Sequence, residues 1–285
     1  MTSTTDLLHV EDLRVDIATA KGGLRTVVDD VAFSLAPGER MAIVGESGSG
    51  KSMTAAAILG LLPARARVSS GRIVLDGTEL TALPPRQMRD WRGSVMGLIP
   101  QDPMASLNPV HTIGWQIAEA VTAHEAMTRR EVKTRSCDLL ERVGITNAAS
   151  RLSAFPHEFS GGMRQRVLIA MALAQRPRLL IADEATTALD VTIQAQVLDL
   201  IDHLTSEAGS AVILITHDLS IAAGRSDTVT VMRTGRIVES GPAEVVLHEP
   251  RAAYTQMLLA ASPRFDRPRK SLFPIDGSTE KASVR

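Results

Sequence analysis

Residues 40–52, RMAIV-GESGSGKS, join an apolar pentapeptide to a run of alternating glycines that ends in lysine and serine. Arg40 to Val44 reads as a buried strand. The polar run after it matches G-x-x-x-x-G-K-[ST] at Gly45, Glu46, Ser47, Gly48, Ser49, Gly50, Lys51 and Ser52. Glycines at those spacings let backbone N–H groups turn inward around an anion, and a helix opening at Lys51 adds its positive end. In that arrangement Lys51 reaches the β- and γ-phosphates of a nucleotide and the Ser52 hydroxyl meets Mg2+. A Gly/Ser-rich run is otherwise a flexible linker. The strand before it, and a helix from about Lys51 to Leu62 that Pro63 closes, argue against that.

Working outward, the pattern changes along the chain. Leu8 to Leu35 alternates short apolar runs with glycine and charge, as antiparallel strands do, with Lys21-Gly22-Gly23 as the turn. Val68 to Gly77 reads as a strand and turn, and Val95 to Ile99 as a further short strand. From about Ile113 to Gly144 apolar residues recur at helical spacing, with Glu125, Arg129, Arg130, Glu131 and Lys133 between them. A helix follows Ser160 to about Gln175, then come the apolar strand Leu179 to Ala182, a helix around Leu198 to Leu204 and the strand Ala211 to Thr216. Thr228 to Met232 and Arg236 to Glu239 form a hairpin about Gly235. Buried, nearly continuous apolar strands separated by helices require a parallel sheet covered on both faces, so the class is α/β. Pro263 to Arg285, rich in Pro, Ser and charge, reads as a solvated tail.

Composition adds exclusions. With 285 residues at a net charge of −1, the chain can bury a sizeable core and offers no electrostatic reason to bind nucleic acid. Its single cysteine, Cys137, forms no internal disulfide and fits a reducing compartment. No run of about 18 apolar residues is present to cross a bilayer, and Met1 to Asp6 lacks the basic and apolar segments of a signal peptide.

The remaining chemistry sits at strand ends and one helix start. Leu179 to Ala182 runs into Asp183 and Glu184; in phosphate-loop hydrolases an acid at that place holds Mg2+, and a second polarises the attacking water. Taken alone, strand-end acids more often cap the next element or face solvent. His217 closes the strand Ala211 to Thr216, where it can hydrogen-bond a γ-phosphate; a lone His there is otherwise a polar loop residue. Gln101 opens the run QDPMASLNP, which Pro103 and Pro109 keep from being helical, and its carbonyl can meet Mg2+ or the water. Ser160, Gly161 and Gly162 place a Ser N-cap and bare amides at a helix start, a second anion site suited to ATP held by another subunit.

In this order the motifs resemble those of the ATP-binding subunits of ABC transporters. They run from the loop at Gly45 through Gln101, the signature Phe159-Ser160-Gly161-Gly162-Met163 and Leu179 to Glu184, on to Ala188-Leu189-Asp190 and His217, and the resemblance covers about Leu8 to Ala261. Within that family, QDPMASLNP, SGGMRQR, TTALDVTIQAQ, His248-Glu249-Pro250 and Tyr254-Thr255 resemble the oligopeptide, dipeptide and nickel importer branch. The resemblance implies a P-loop NTPase core of ABC type with an antiparallel β subdomain and a helical subdomain. Residues 1–262 would form the ATPase domain, about 102–165 its helical insert, and 263–285 a C-terminal extension. It implies ATP and Mg2+ as ligands, with Ser160, Gly161, Gly162, Met163 and Asp190 completing a site shared across a head-to-tail dimer. Ser52, Gln101 and Asp183 would meet the metal, and Glu184, Gln101 and His217 the reacting water. The partners it implies are a second ATPase subunit, two permeases and an extracytoplasmic solute-binding protein, at the cytoplasmic face of the membrane. Peptide is the branch's commonest cargo and nickel the alternative; a soluble ABC protein and an inert paired subunit are the other readings. Three departures stand out: Ile17 where relatives place an aromatic residue against adenine, Ala185 where they have proline, and no cysteine-bearing C-terminal segment.

Overall fold

The computed structural model describes residues 6–20, 22–186 and 189–261. Two strands, β1 (Leu8–Ala18) and β2 (Leu24–Leu35), precede β3 (Arg40–Val44) and helix α1 (Lys51–Ile58). β4 (Ala66–Leu75), the short β5 (Thr78–Glu79), α2 (Pro85–Trp91) and β6 (Met96–Ile99) follow. A helical stretch holds α3 (Pro103–Ser106), α4 (Ile113–Thr122), α5 (Arg129–Arg142), α6 (Ala148–Arg151) and α7 (Gly161–Ala172). The chain then runs through β7 (Leu179–Asp183), α8 (Val191–Ala208), β8 (Ala211–Thr216), α9 (Leu219–Ala222), β9 (Thr228–Arg233) and β10 (Arg236–Pro242). It closes on α10 (Ala243–His248) and α11 (Ala253–Ala260).

The strands form two sheets. β2-β1-β4-β5 is antiparallel, and β10-β9-β3-β8-β7-β6 is parallel except for the β10 edge. Side chains alternate across a strand, so each central strand feeds two cores. Leu179 and Ile181 of β7 pack with the antiparallel sheet and α1, while Leu180 and Ala182 pack with α4, α5, α7 and α8. In β3, Met41 and Ile43 face the first of these cores, whereas Ala42 and Val44 join Val229, Val231, Val246 and Tyr254 in a third. Burial on both faces is why these strands carry almost no polar residue, and at about 25 cal/mol per Å2 of apolar surface it supplies the main stabilisation.

The fold agrees with the expected α/β class, with local differences. The QDPMASLNP run does contain a helical turn, α3: Pro103 occupies its first position, where the missing N–H costs nothing, and Asp102 accepts the Met104 amide at 2.7 Å. The mostly helical segment expected from Ile113 to Gly144 consists of α4 and α5, the second opened by a reciprocal cap in which Thr128 N donates to Glu131 at 2.8 Å and Glu131 N to Thr128 Oγ1 at 3.3 Å. α1 stops at Ile58, short of Leu62, and Gly60 takes a left-handed φ of 61° just after it. The Lys21-Gly22-Gly23 turn has Gly22 at φ 81°, with Lys21 outside the described residues. Thr187, Ala188 and the stretch 263–285 also lie outside them. Among the described residues no helix is long and apolar enough to cross a membrane.

Candidate functional site

The C-terminal ends of β3, β7, β8 and β6 lie side by side, and the polar residues gather there. The loop from Gly45 to Gly50 leaves β3 and enters α1. A Cβ on Gly45 would lie 2.2 Å from the Met232 carbonyl oxygen, so only glycine lets the chain pass β9 at that point. Gly50, at φ 105°, caps α1 without a side-chain hydrogen bond, which leaves the first-turn amides of the helix for an anion. Lys51 is 4% exposed, and its ammonium donates to the carbonyls of Gly45 at 2.7 Å and Glu46 at 2.9 Å. Burial pulls its pKa below the ordinary lysine value against the opposing pull of Glu184 and Asp183. Ser49 Oγ is buried in the same loop without a hydrogen-bond partner among the described residues.

Beside this loop stand the acids. Ser52 Oγ donates to Asp183 Oδ1 at 3.0 Å, which joins the first residues of α1 to the end of β7. Burial raises the Asp183 pKa; the Ser52 hydrogen bond and Lys51 work against that rise, and Glu184 adds to it. Glu184 has a left-handed φ of 45°, uncommon for a residue with a side chain, and its amide donates to the Ile215 carbonyl at 3.0 Å. Gln101 Nε2 donates to one carboxylate oxygen of Glu184 at 2.9 Å, and His217 Nδ1 lies 3.4 Å from the other. A small cavity of about 150 Å3 adjoins them, lined by Glu184, Gln194, Thr216 and His217. The fold thus brings together Lys51, Ser52, Gln101, Asp183, Glu184 and His217 from four strand ends. Gln101 engages the acid through its nitrogen, while Ser52 and Asp183 supply the hard oxygens.

Ser160, Gly161, Gly162, Met163 and Asp190 form a second group. Ser160 accepts the Met163 amide at 3.3 Å at the start of α7, and Asp190 accepts those of Thr192 at 3.1 Å and Ile193 at 3.0 Å at the start of α8. The two helix starts meet where a Cβ on Gly162 would lie 2.9 Å from Ile193 Cγ2. One residue at the loop escaped the sequence reading: Tyr254 of α11, whose hydroxyl accepts the Glu46 amide at 3.3 Å. It appeared there only within the Tyr254-Thr255 pair, and its one signal was being the chain's single tyrosine.

A phosphate loop on a parallel sheet, with a hydroxyl-carboxylate pair and an acid flanked by Gln and His at neighbouring strand ends, defines the class of P-loop nucleotide hydrolases. Residues 28–187 match the ABC transporter family model, and residues 238–284 match the model described as the C-terminal region of oligopeptide/dipeptide transporters. The chain belongs to the ABC transporter ATP-binding family. It is 52% identical over 269 residues to the peptidoglycan transport ATP-binding protein YejF of Agrobacterium fabrum, covering 94% of this chain but 49% of that relative, about half its length. It is 45% identical over 271 residues to the dipeptide transport ATP-binding protein DppD of Escherichia coli, covering 95% of this chain and 83% of the relative. The solved structure titled as a dimeric post-hydrolysis state of the ATP-binding cassette MJ0796 bound to ADP and Pi shares the fold, with a TM-score of 0.74 at 24% identity over 83% of this chain and 98% of that one.

Proposed function

We propose that this chain is the ATP-hydrolysing subunit of a peptide importer, working at the cytoplasmic face of a membrane. Its partners in this reading are a second ATPase subunit, two permeases and an extracytoplasmic solute-binding protein. The observation that carries it is Glu184 held between Gln101 at 2.9 Å and His217 at 3.4 Å, next to the Ser52–Asp183 pair. A carboxylate so oriented accepts the proton of a water attacking a γ-phosphate, while the imidazole of His217 supplies a hydrogen bond to the same centre. Lys51 neutralises phosphate charge, and the α1 amides bind phosphate oxygens. The hydroxyl of Ser52 and the carboxylate of Asp183 are the oxygen donors Mg2+ prefers, and it commonly takes one or two of these with substrate phosphates. Bound there, it supplies charge neutralisation on those phosphates.

The second group, at the paired starts of α7 and α8, supports a site shared with a partner subunit: Ser160, the amides of Gly161 and Gly162, Met163 and Asp190 would close over ATP held by the neighbour's loop. Binding then closes the dimer and drives the permeases, and hydrolysis reopens it. Peptide as cargo rests on the C-terminal match and on relatives described as dipeptide and peptidoglycan transport proteins. Glu184→Gln keeps the shape and hydrogen bonding but removes the base. It should retain MgATP while turnover falls by at least about a hundredfold. Turnover near wild type in the assembled transporter would remove Glu184 from the role of base.

A further inference from the structure

We infer that Tyr254, in the C-terminal helix α11, is a positioning residue for the phosphate loop: its hydroxyl fixes the Gly45–Glu46 peptide group, one of the two whose carbonyls hold the Lys51 ammonium. The inference rests on the nucleotide reading above. The carbonyl of Gly45 and the N–H of Glu46 belong to a single peptide unit. Lys51 Nζ donates to that carbonyl at 2.7 Å, and on the opposite edge the N–H donates to Tyr254 Oη at 3.3 Å. The unit is therefore held at both ends. Glycine is also the residue at which such a unit turns most freely, and Gly45 sits at φ 152°. Turned over, the same peptide would present an N–H to the ammonium instead of an oxygen.

The phenol is well placed to resist that turn. Tyr254 is 6% exposed, packed with Ala42, Val44, Val229, Val231 and Val246, and the Arg233 guanidinium lies 4.7 Å from its ring centroid. Arg233 follows Met232, whose carbonyl oxygen abuts Gly45, so ring and loop are registered against the same end of β9. The start of α11 is itself held, since Glu239 of β10 accepts the amides of Arg251 at 2.8 Å and Ala252 at 3.2 Å. A continuous path of contacts thus runs from β10 through α11 to the loop, and the C-terminal region acts on the nucleotide through it.

Because the brace acts where Lys51 meets β- and γ-phosphate, its loss should weaken ATP more than AMP. Tyr254→Phe keeps the ring and deletes only the hydroxyl. Binding of MgATP and of AMP to the full chain, with melting of the nucleotide-free protein, forms the test. The variant should bind MgATP about fivefold more weakly, the scale of one lost hydrogen bond, with AMP affinity unchanged and melting within about 4 °C of wild type. MgATP affinity within about twofold of wild type overturns the role, as does an equal loss for ATP and AMP or a larger fall in melting temperature, each of which points to packing alone. Failure of the wild-type chain to bind MgATP would instead refute the nucleotide site itself.

Discussion

Arg225→Met tests what anchors β3 at the end away from the phosphate loop. The Arg225 side chain is 6% exposed and meets two carboxylates of α8, Asp199 at 2.5 Å and Asp202. Asp202 also takes the Arg40 guanidinium at 2.8 Å, which ties α8 to the first residue of β3. Breaking a fully buried ion pair from one side costs about 3–5 kcal/mol; the two acids here are partly exposed and Arg40 remains, so about 2–3 kcal/mol is expected near neutral pH. The pH dependence separates charge from packing. Burial already raises the Asp202 pKa above the ordinary aspartate value, while Arg225 and Arg40 hold it down. Removing Arg225 raises it further, so over the window above the wild-type Asp202 pKa the variant's folded state binds an extra proton. There the unfolding free energy of the variant falls relative to wild type by up to about 1.4 kcal/mol per pH unit, then levels off. The penalty should be smaller at pH 5 than at pH 7.5. Urea unfolding of both proteins at the two pH values measures it, and an equal penalty at both would show that Arg225 acts as a packing element rather than as a charge.

Two further outcomes follow from the site. Asp183→Asn removes a carboxylate whose ionisation burial disfavours, yet its amide oxygen can still accept from Ser52. The nucleotide-free protein should hold or gain about 1 kcal/mol at neutral pH while Mg2+-dependent nucleotide retention is lost, and calorimetric melting with and without MgATP reads both. The sign follows from the raised pKa: the wild-type carboxyl makes the folded state less stable as pH climbs from the unfolded aspartate pKa toward the folded one, and the variant lacks that slope. Gly45→Ala would set a Cβ 2.2 Å from the Met232 carbonyl oxygen, a backbone atom within the sheet. It should cost about 2–3 kcal/mol and weaken MgATP binding by more than about tenfold, checked by melting and by equilibrium dialysis.

Much of this molecule was legible in its sequence where local pattern carried the information. RMAIV with the glycine run, the apolar strand ending in Asp183 and Glu184, and AVILIT before His217 each announced a strand and what stands at its end. That those ends adjoin follows once the strands are parallel neighbours, so Gln101, Glu184 and His217 converge although Gln101 and Glu184 are 83 residues apart. What the sequence hid was of two kinds. Proline read as a helix breaker at Pro103 is a helix starter, because position within the turn decides the effect. Tyr254 and Glu46 are 208 residues apart, and no periodicity or spacing links a tyrosine on a C-terminal helix with an amide in a loop near the start. The left-handed backbone at Glu184 was equally invisible, being imposed by the turn and by its bond to Ile215.

The helical stretch from α3 to α7 leaves the parallel sheet at the end of β6 and returns at the start of β7, and these two strands are hydrogen-bonded neighbours. Exit and entry share one edge, and between them the stretch packs on the face of the sheet through the core it shares with Leu180, Ala182 and α8. Gln101 stands at the exit and the carboxylate it touches belongs to the next strand. A rotation of the stretch about that edge would strain the Gln101–Glu184 contact, which ties the helices directly to the candidate site.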